Sequence, residues 1–347
     1  LLKHKTYRKM VEDASAGREF NDIIVEYNPD YNSQTPLKVW GGQHRISAIK
    51  EGGTGNNRYH GFRIYFSLTK KQRTEVALIS NTNIAVSNDT FDRMVEETVF
   101  GDKLRKWCQR VGLLDKQWFQ EIGLSDTDED FPDTGSRSEK ITVKRARSFI
   151  VNFYLGKEKG EQIPSGELDR NVYEPYLATT GVTVDPKYAE MMRQHDILSD
   201  TALITAGEKF AALYKAQYRA VVKNPKIDNR KWYRNKAFVE SVICGWSYVA
   251  GLLQSHPERL ENHYRIPRVT GQVPDPLNAE AMSRFKHDRD EPTYRGLGTR
   301  SSSKDRRRIA QLFLAKSLEH NVVIDEKFMH KAVSQVVGLL SLAEGYA

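Results

Sequence analysis

The sequence predicts an α+β protein, with a mixed N-terminal domain over residues 1–100 and a mainly α-helical C-terminal domain over residues 101–347. Three observations carry this expectation. Short β-branched and aromatic runs alternate with helical stretches in the first hundred residues. Beyond Phe91 that strand patterning fades, and apolar residues recur at helical spacing. The 347 residues include 14 Phe, 5 Trp and 16 Tyr, enough large apolar side chains for more than one core, and the length suits about two domains of roughly 150 residues.

The elements follow in order. Residues 7–16 read as a short helix ended by Gly17, and 22–27 (DIIVEY) as a strand before the turn Asn28-Pro29-Asp30. A second short strand over 37–40 stops at Gly41-Gly42, and 43–50 then reads as a helix with Ile46 and Ile49 on one side. The Gly-rich stretch 52–57 is a turn. Residues 59–68 (YHGFRIYFSL) give the clearest strand, with Phe62, Ile64 and Phe66 on one face. Thr69 is the expected cap of a helix over 70–80. Further helices are expected at 91–111, 115–122, 139–155, 187–195, 203–222, 236–254, 304–319 and 326–343. Residues 125–138 read as an acidic linker, and 265–290, with Pro267, Pro274 and Pro276, as extended loop.

Composition excludes several classes. Apolar residues make up 39% and charged residues 28%, which excludes a collagenous, mucin-like or wholly disordered chain. The longest apolar stretch, 241–253, is too short for a membrane span of about 20 residues. The basic first residues lack the apolar run of a signal peptide. Cys108 and Cys244 stand far apart with no CxxC, so a zinc site or disulfide framework is not expected. A reducing cytoplasm is, with both cysteines as small core residues. The net charge of +8 permits a nucleic-acid partner without requiring one.

The sharpest local feature is Val39-Trp40-Gly41-Gly42-Gln43-His44-Arg45-Ile46-Ser47-Ala48. A strand runs into two glycines and then a helix that begins with Gln, His and Arg. Glycines let backbone N–H groups approach an oxyanion, and the first turn of a helix leaves its N–H groups unpaired at the positive end of the dipole. Arg45 can add a bidentate fork to phosphate. Gln43 and His44 can orient a water. The competing reading is an ordinary tight turn whose polar residues face solvent.

Gly41-Gly42-Gln43-His44-Arg45 resembles the DGQHR signature of the proteins named for it, which include DndB-like proteins of DNA modification loci. The more distant ParB pattern G-E-R-R-x-R-A aligns with Gly42 through Ala48, and the order of flanking elements over roughly residues 5–100 is similar to the ParB/sulfiredoxin-like fold. The resemblance implies a nucleotide-binding domain that holds the phosphates of ATP or CTP with Mg, ATP being the favoured nucleotide. Carried over residue by residue, Gly41 and Gly42 bring the backbone to the phosphates, Arg45 is the fork and Ser47 a second hydroxyl. Asn81 and Asn83 fall where ParB-type sites place a metal-supporting Asn; as an alternative they are a plain helix C-cap and turn. Gly41 replaces the family's leading Asp, which bears on turnover more than on binding. Sulfiredoxin's catalytic Cys has no counterpart, because no Cys precedes Cys108.

Basic clusters supply the remaining expectations. Residues 215–236 interleave Arg230, Lys231, Arg234 and other cations, Lys236 among them, with Tyr214, Tyr218, Trp232 and Tyr233, and residues 295–308 hold Arg300, Lys304 and Arg307 beside Gly296 and Gly298. Such groups neutralise DNA phosphates, and rings stack on unpaired bases; either cluster also fits a solvated helix surface. A third cluster, 137–147, offers a weaker helix-turn-helix reading. The expectation is therefore a nucleoside triphosphatase of a DNA modification or defence system, with Gln43, His44 and Arg45 as catalytic residues. Its partners would be nucleotide, DNA and a subunit of a DNA-modifying enzyme, with no membrane involved. The alternatives are a DNA-binding regulator without turnover and a ParB-like nuclease.

Overall fold

The computed structural model describes residues 5–30, 32–53, 59–69, 72–73, 75–76, 88–115, 119, 141–181, 183–194, 196–219, 235–267 and 275–345. Among these residues the architecture is mixed α+β, with one three-stranded sheet near the N-terminus and helices through the rest. The chain divides into two compact units, one running from the N-terminus to Gly101 and the other starting at Asp102.

In the first unit, helix α1 (Lys5–Ser15) leads into strands β1 (Ile23–Tyr27) and β2 (Leu37–Gly41), helix α2 (Gln43–Glu51), strand β3 (Phe62–Phe66) and helix α3 (Asn88–Phe100). The strand order is β2-β1-β3, with β1 antiparallel to β2 and parallel to β3. The β1–β2 register shifts between Ile24 and Val25, so that Ile24 faces Gly41 and Val25 faces Val39. An irregularity of this kind re-aims the chain locally, here at the entry to α2. Ile23, Val25, Ala48, Ile49, Tyr7 and Ala14 are buried, α1 packs on α2, and α2 packs on β1.

The alternate residues of β1 carry a buried carboxylate. Glu26 is fully buried and accepts from Trp40 Nε1 at 2.9 Å, from the Leu68 amide at 2.8 Å and from the Arg73 guanidinium at 3.0–3.2 Å. One charge thereby ties β1, β2 and the segment after β3 together. A buried carboxylate is tolerable only with such a full set of donors. Thr69 and Gln72 exchange the two bonds of a capping box, the Thr69 amide donating to Gln72 Oε1 at 2.9 Å and the Gln72 amide to Thr69 Oγ1 at 3.4 Å.

In the second unit the helices are α4 (Lys103–Arg110), α5 (Val143–Gln162), α6 (Pro186–Gln194), α7 (Thr201–Arg219), α8 (Glu240–Leu252), α9 (Pro257–Tyr264), α10 (Ala279–Arg284), α11 (Ser303–Lys316) and α12 (Glu326–Gly345). Every residue of α8 after Glu240 is buried. It packs chiefly against α5 and α11. Glycines make that crossing possible: a Cβ on Gly156 would collide with Tyr248 O, and one on Gly251 with Phe153 O. Trp246 sits among Phe149, Phe210 and His263, with ring centroids 6.0, 5.0 and 4.6 Å away. Cys108 and Cys244 are both free thiols, fully buried in helices.

Two expectations are corrected. The helix expected over 91–111 is two helices, broken at Gly101–Asp102. The stretch 265–290, expected as extended loop, contains α10, whose residues Ala279 and Met282 are buried. Its prolines lie before that helix and do not interrupt it.

Candidate functional site

The junction of β2 and α2 places the Gly-Gly-Gln-His-Arg run. Gly41 closes β2 opposite Ile24, and Gly42 caps α2 with φ +103°, a left-handed conformation that glycine adopts without strain. A Cβ at Gly42 would meet three atoms of Ile23 at 3.4 Å, so the turn lies directly on β1. Gly42 O accepts the Ile46 amide at 2.9 Å, and Gly42 offers α2 no side-chain cap. The amides of Gln43, His44 and Arg45 are thus left at the helix start as an unfilled set of donors among the described residues.

The three polar side chains are held differently. Arg45 Nη1 donates to Asn21 O at 2.6 Å and to Asp22 O at 2.8 Å, which anchors the guanidinium over the start of β1. Partial burial lowers its pKa, and the nearby Asp22 carboxylate opposes that change. Nη2 and Nε have no bond to a described residue, so the fork keeps donors to spend. Gln43 is exposed and its Nε2 donates back to Val39 O at 3.0 Å, leaving Oε1 as its outward end. The His44 ring packs edge-on against Tyr7, centroids 6.3 Å apart, and Tyr7 in turn donates to Glu51 at 2.8 Å. Ser47 is exposed on the next turn of α2. Asn81 and Asn83 lie outside the described residues.

The basic cluster at the start of α11 is largely spent on internal contacts. Ser302 caps the helix through the Asp305 amide. Asp290 accepts Arg308 at 2.8 and 2.9 Å and Lys304 at 2.8 Å. Burial pushes the Asp290 carboxyl up, but its bonds to Arg308 and Lys304 outweigh that and hold it well below the usual range. Arg307 pairs with Glu174, and Arg306 Nε donates to Pro175 O at 2.6 Å. Arg300 and Lys304 keep exposed side chains. Arg230, Lys231 and Arg234 lie outside the described residues. Arg145 and Arg147 of the third cluster are buried in α5, which removes them from any nucleic-acid surface.

Sequence reasoning missed two polar centres. One is Glu26, whose signal was an acidic residue at an interior position of an otherwise apolar strand. The other is Lys236, read as part of a basic surface run but fully buried. Its Nζ donates to Ser283 Oγ at 3.1 Å and to Gly298 O at 3.2 Å, and burial pushes its pKa down to about 7. Ser283 Oγ in turn donates a hydrogen bond to Ala279 O at 2.6 Å. No family model, curated protein or solved structure matches this chain. Among the described residues no group of three or more His, Cys, Asp or Glu side chains gathers as a metal site, and no helix is long and apolar enough to cross a membrane.

Proposed function

We propose that the first unit binds the triphosphate of a nucleotide, ATP or CTP, at the start of α2 and hydrolyses it, in the manner of the ParB/sulfiredoxin-like proteins its motif resembles. The observation that carries this reading is the left-handed Gly42 turn. Among the described residues it leaves three consecutive amides unpaired beside an arginine anchored through Nη1. Donors of this kind recognise phosphate oxygens, and the fixed Arg45 fork stabilises charge on the transferred group. Gln43 and His44 would orient an attacking water, and Ser47 would add a hydroxyl one turn along. Magnesium would supply charge neutralisation on the phosphates, and by the resemblance Asn81, outside the described residues, would support it. The DNA-modification or defence setting, with DNA and a modifying enzyme as partners, comes from the resemblance alone.

The test is phosphate release from ATP, CTP and GTP, with and without DNA. Release is expected with one of them, and Arg45→Ala is expected to abolish it while the far-ultraviolet circular dichroism is kept. Unchanged release from that variant overturns the assignment. The exposed Arg300 supports a second reading, a DNA-binding regulator without turnover. It requires a duplex shift that needs no nucleotide and weakens steeply with salt.

A further inference from the structure

Strand β3 is an open edge among the described residues. It pairs with β1 along one side, and on that side Gly61 O accepts the Ile23 amide at 2.8 Å while the Ser67 amide donates to Tyr27 O at 3.5 Å. In a parallel ladder those bonds assign the odd-numbered residues' N–H and C=O groups to β1. Phe62, Ile64 and Phe66 therefore present their backbone groups outward, where they have no partner among the described residues. The same three residues expose large apolar side chains: Phe62 is 54%, Ile64 48% and Phe66 68% exposed. They continue rows that cross the sheet, with Ile23 beside Phe62, Val25 beside Ile64 and Tyr27 beside Phe66. The strand has neither the proline nor the lysine that commonly blunts an edge.

We propose that β3 pairs antiparallel with β3 of a second copy of this chain, joining two three-stranded sheets about a two-fold axis at Ile64. The strand is complementary to itself in this register. Ile64 faces its own image, and Phe62 faces Phe66 of the other copy, so the residues with outward backbone groups form the hydrogen-bonded pairs. On the opposite face Arg63 stands across from Tyr65, not from another Arg63. The only charge on the strand thus meets a ring instead of a like charge. Moving the axis to Phe62 or Phe66 shortens the overlap and puts Ile64 opposite His60 or Leu68. The pairing extends the exposed row Leu37–Tyr27–Phe66 onto Phe62 of the second copy, covering side chains that a lone sheet leaves in water. A contact of this kind is isologous and closes as a dimer, not a fibre. It rests on β3 alone and is independent of the phosphate site.

Sedimentation velocity of the full chain over a concentration series tests this. The wild-type protein is expected to show a concentration-dependent dimer. Ile64→Lys and Ile64→Glu each set like charges face to face and are expected to weaken association more than tenfold, with unchanged circular dichroism because Ile64 is half exposed. An equimolar mixture of the two variants sets Lys opposite Glu and is expected to recover the dimer. A wild-type chain that stays monomeric at about 100 μM, or single variants that dimerise like wild type, overturns the proposal. Ile64→Cys gives a second readout: facing hydrogen-bonded residues have Cα atoms about 5.5 Å apart, within disulfide reach. Mild oxidation is expected to cross-link the dimer, while Cys108 and Cys244 stay buried. Failure to cross-link a dimer seen by sedimentation places the interface elsewhere.

Discussion

Single residues decide whether the β2–α2 turn survives. Gly42 has φ +103° but meets Ile23 only at ordinary contact distance, so the backbone conformation, not crowding, fixes glycine there. Gly42→Ala is expected to cost about 1–2 kcal/mol, the penalty of a left-handed L-residue, read as a lowered urea midpoint. Glu26 carries a larger burden. Glu26→Ala strips this acceptor from Trp40 Nε1, the Leu68 amide and Arg73 at once, where a buried donor that loses its acceptor costs about 1–3 kcal/mol. A loss of about 3 kcal/mol is expected in urea unfolding followed by tryptophan fluorescence. A variant as stable as wild type would mean that water replaces the carboxylate. Gln43, His44 and Arg45 were legible as a group because glycine spacing and a strand-to-helix switch are local signals. The anchoring of Arg45 on Asn21 and Asp22 was not, because it joins residues more than twenty positions apart through backbone carbonyls that any sequence offers.

At the scale of elements, periodicity located most helices because a buried stripe repeats within one segment. It could not show that α5 and α8 meet backbone to backbone. That contact depends on Gly156 and Gly251, and glycines inside a helical pattern read as weak points until their neighbours are known. Gly251→Ala drives a methyl into Phe153 O, which the α5 backbone cannot yield without moving the whole helix. A loss of about 3 kcal/mol or more is expected, measured as a fall in thermal midpoint against the exposed control Gly338→Ala, whose Cβ meets nothing. The internal partners of the basic segment 295–308 stayed hidden for the complementary reason. Arg308, Lys304 and Arg307 read as free cations in sequence, while Asp290 and Glu174, which hold them, come from distant loops. The short helix α10 stayed hidden because six residues give too little periodicity to stand out beside prolines.

For the molecule as a whole, buried cations set how stability responds to pH. Lys236 falls to about 7 through burial, and Lys316, whose Nζ donates to three carbonyls at the end of α9, falls to about 8 for the same reason. Unfolded lysines titrate near 10.4. Between pH 7 and 10 the unfolded chain therefore holds more protons than the folded one, and unfolding free energy rises with pH, by at most about 1.4 kcal/mol per pH unit per lysine. Asp290 acts at the other end. Its depressed carboxyl stabilises the fold above the ordinary carboxylate range, and that contribution is lost as pH falls through and below it. The net charge of +8 also shrinks as lysines deprotonate, which adds a slope of the same sign. Lys236→Met separates the two effects, because it removes one surrendered proton and changes overall charge by a single unit. Urea midpoints from pH 6 to 10 are expected to climb in the wild type and to climb less in the variant, with the difference largest between pH 7 and 10. Parallel curves would mean that Lys236 keeps its proton in the folded chain, held by Ser283 Oγ and Gly298 O together with the field of Asp305.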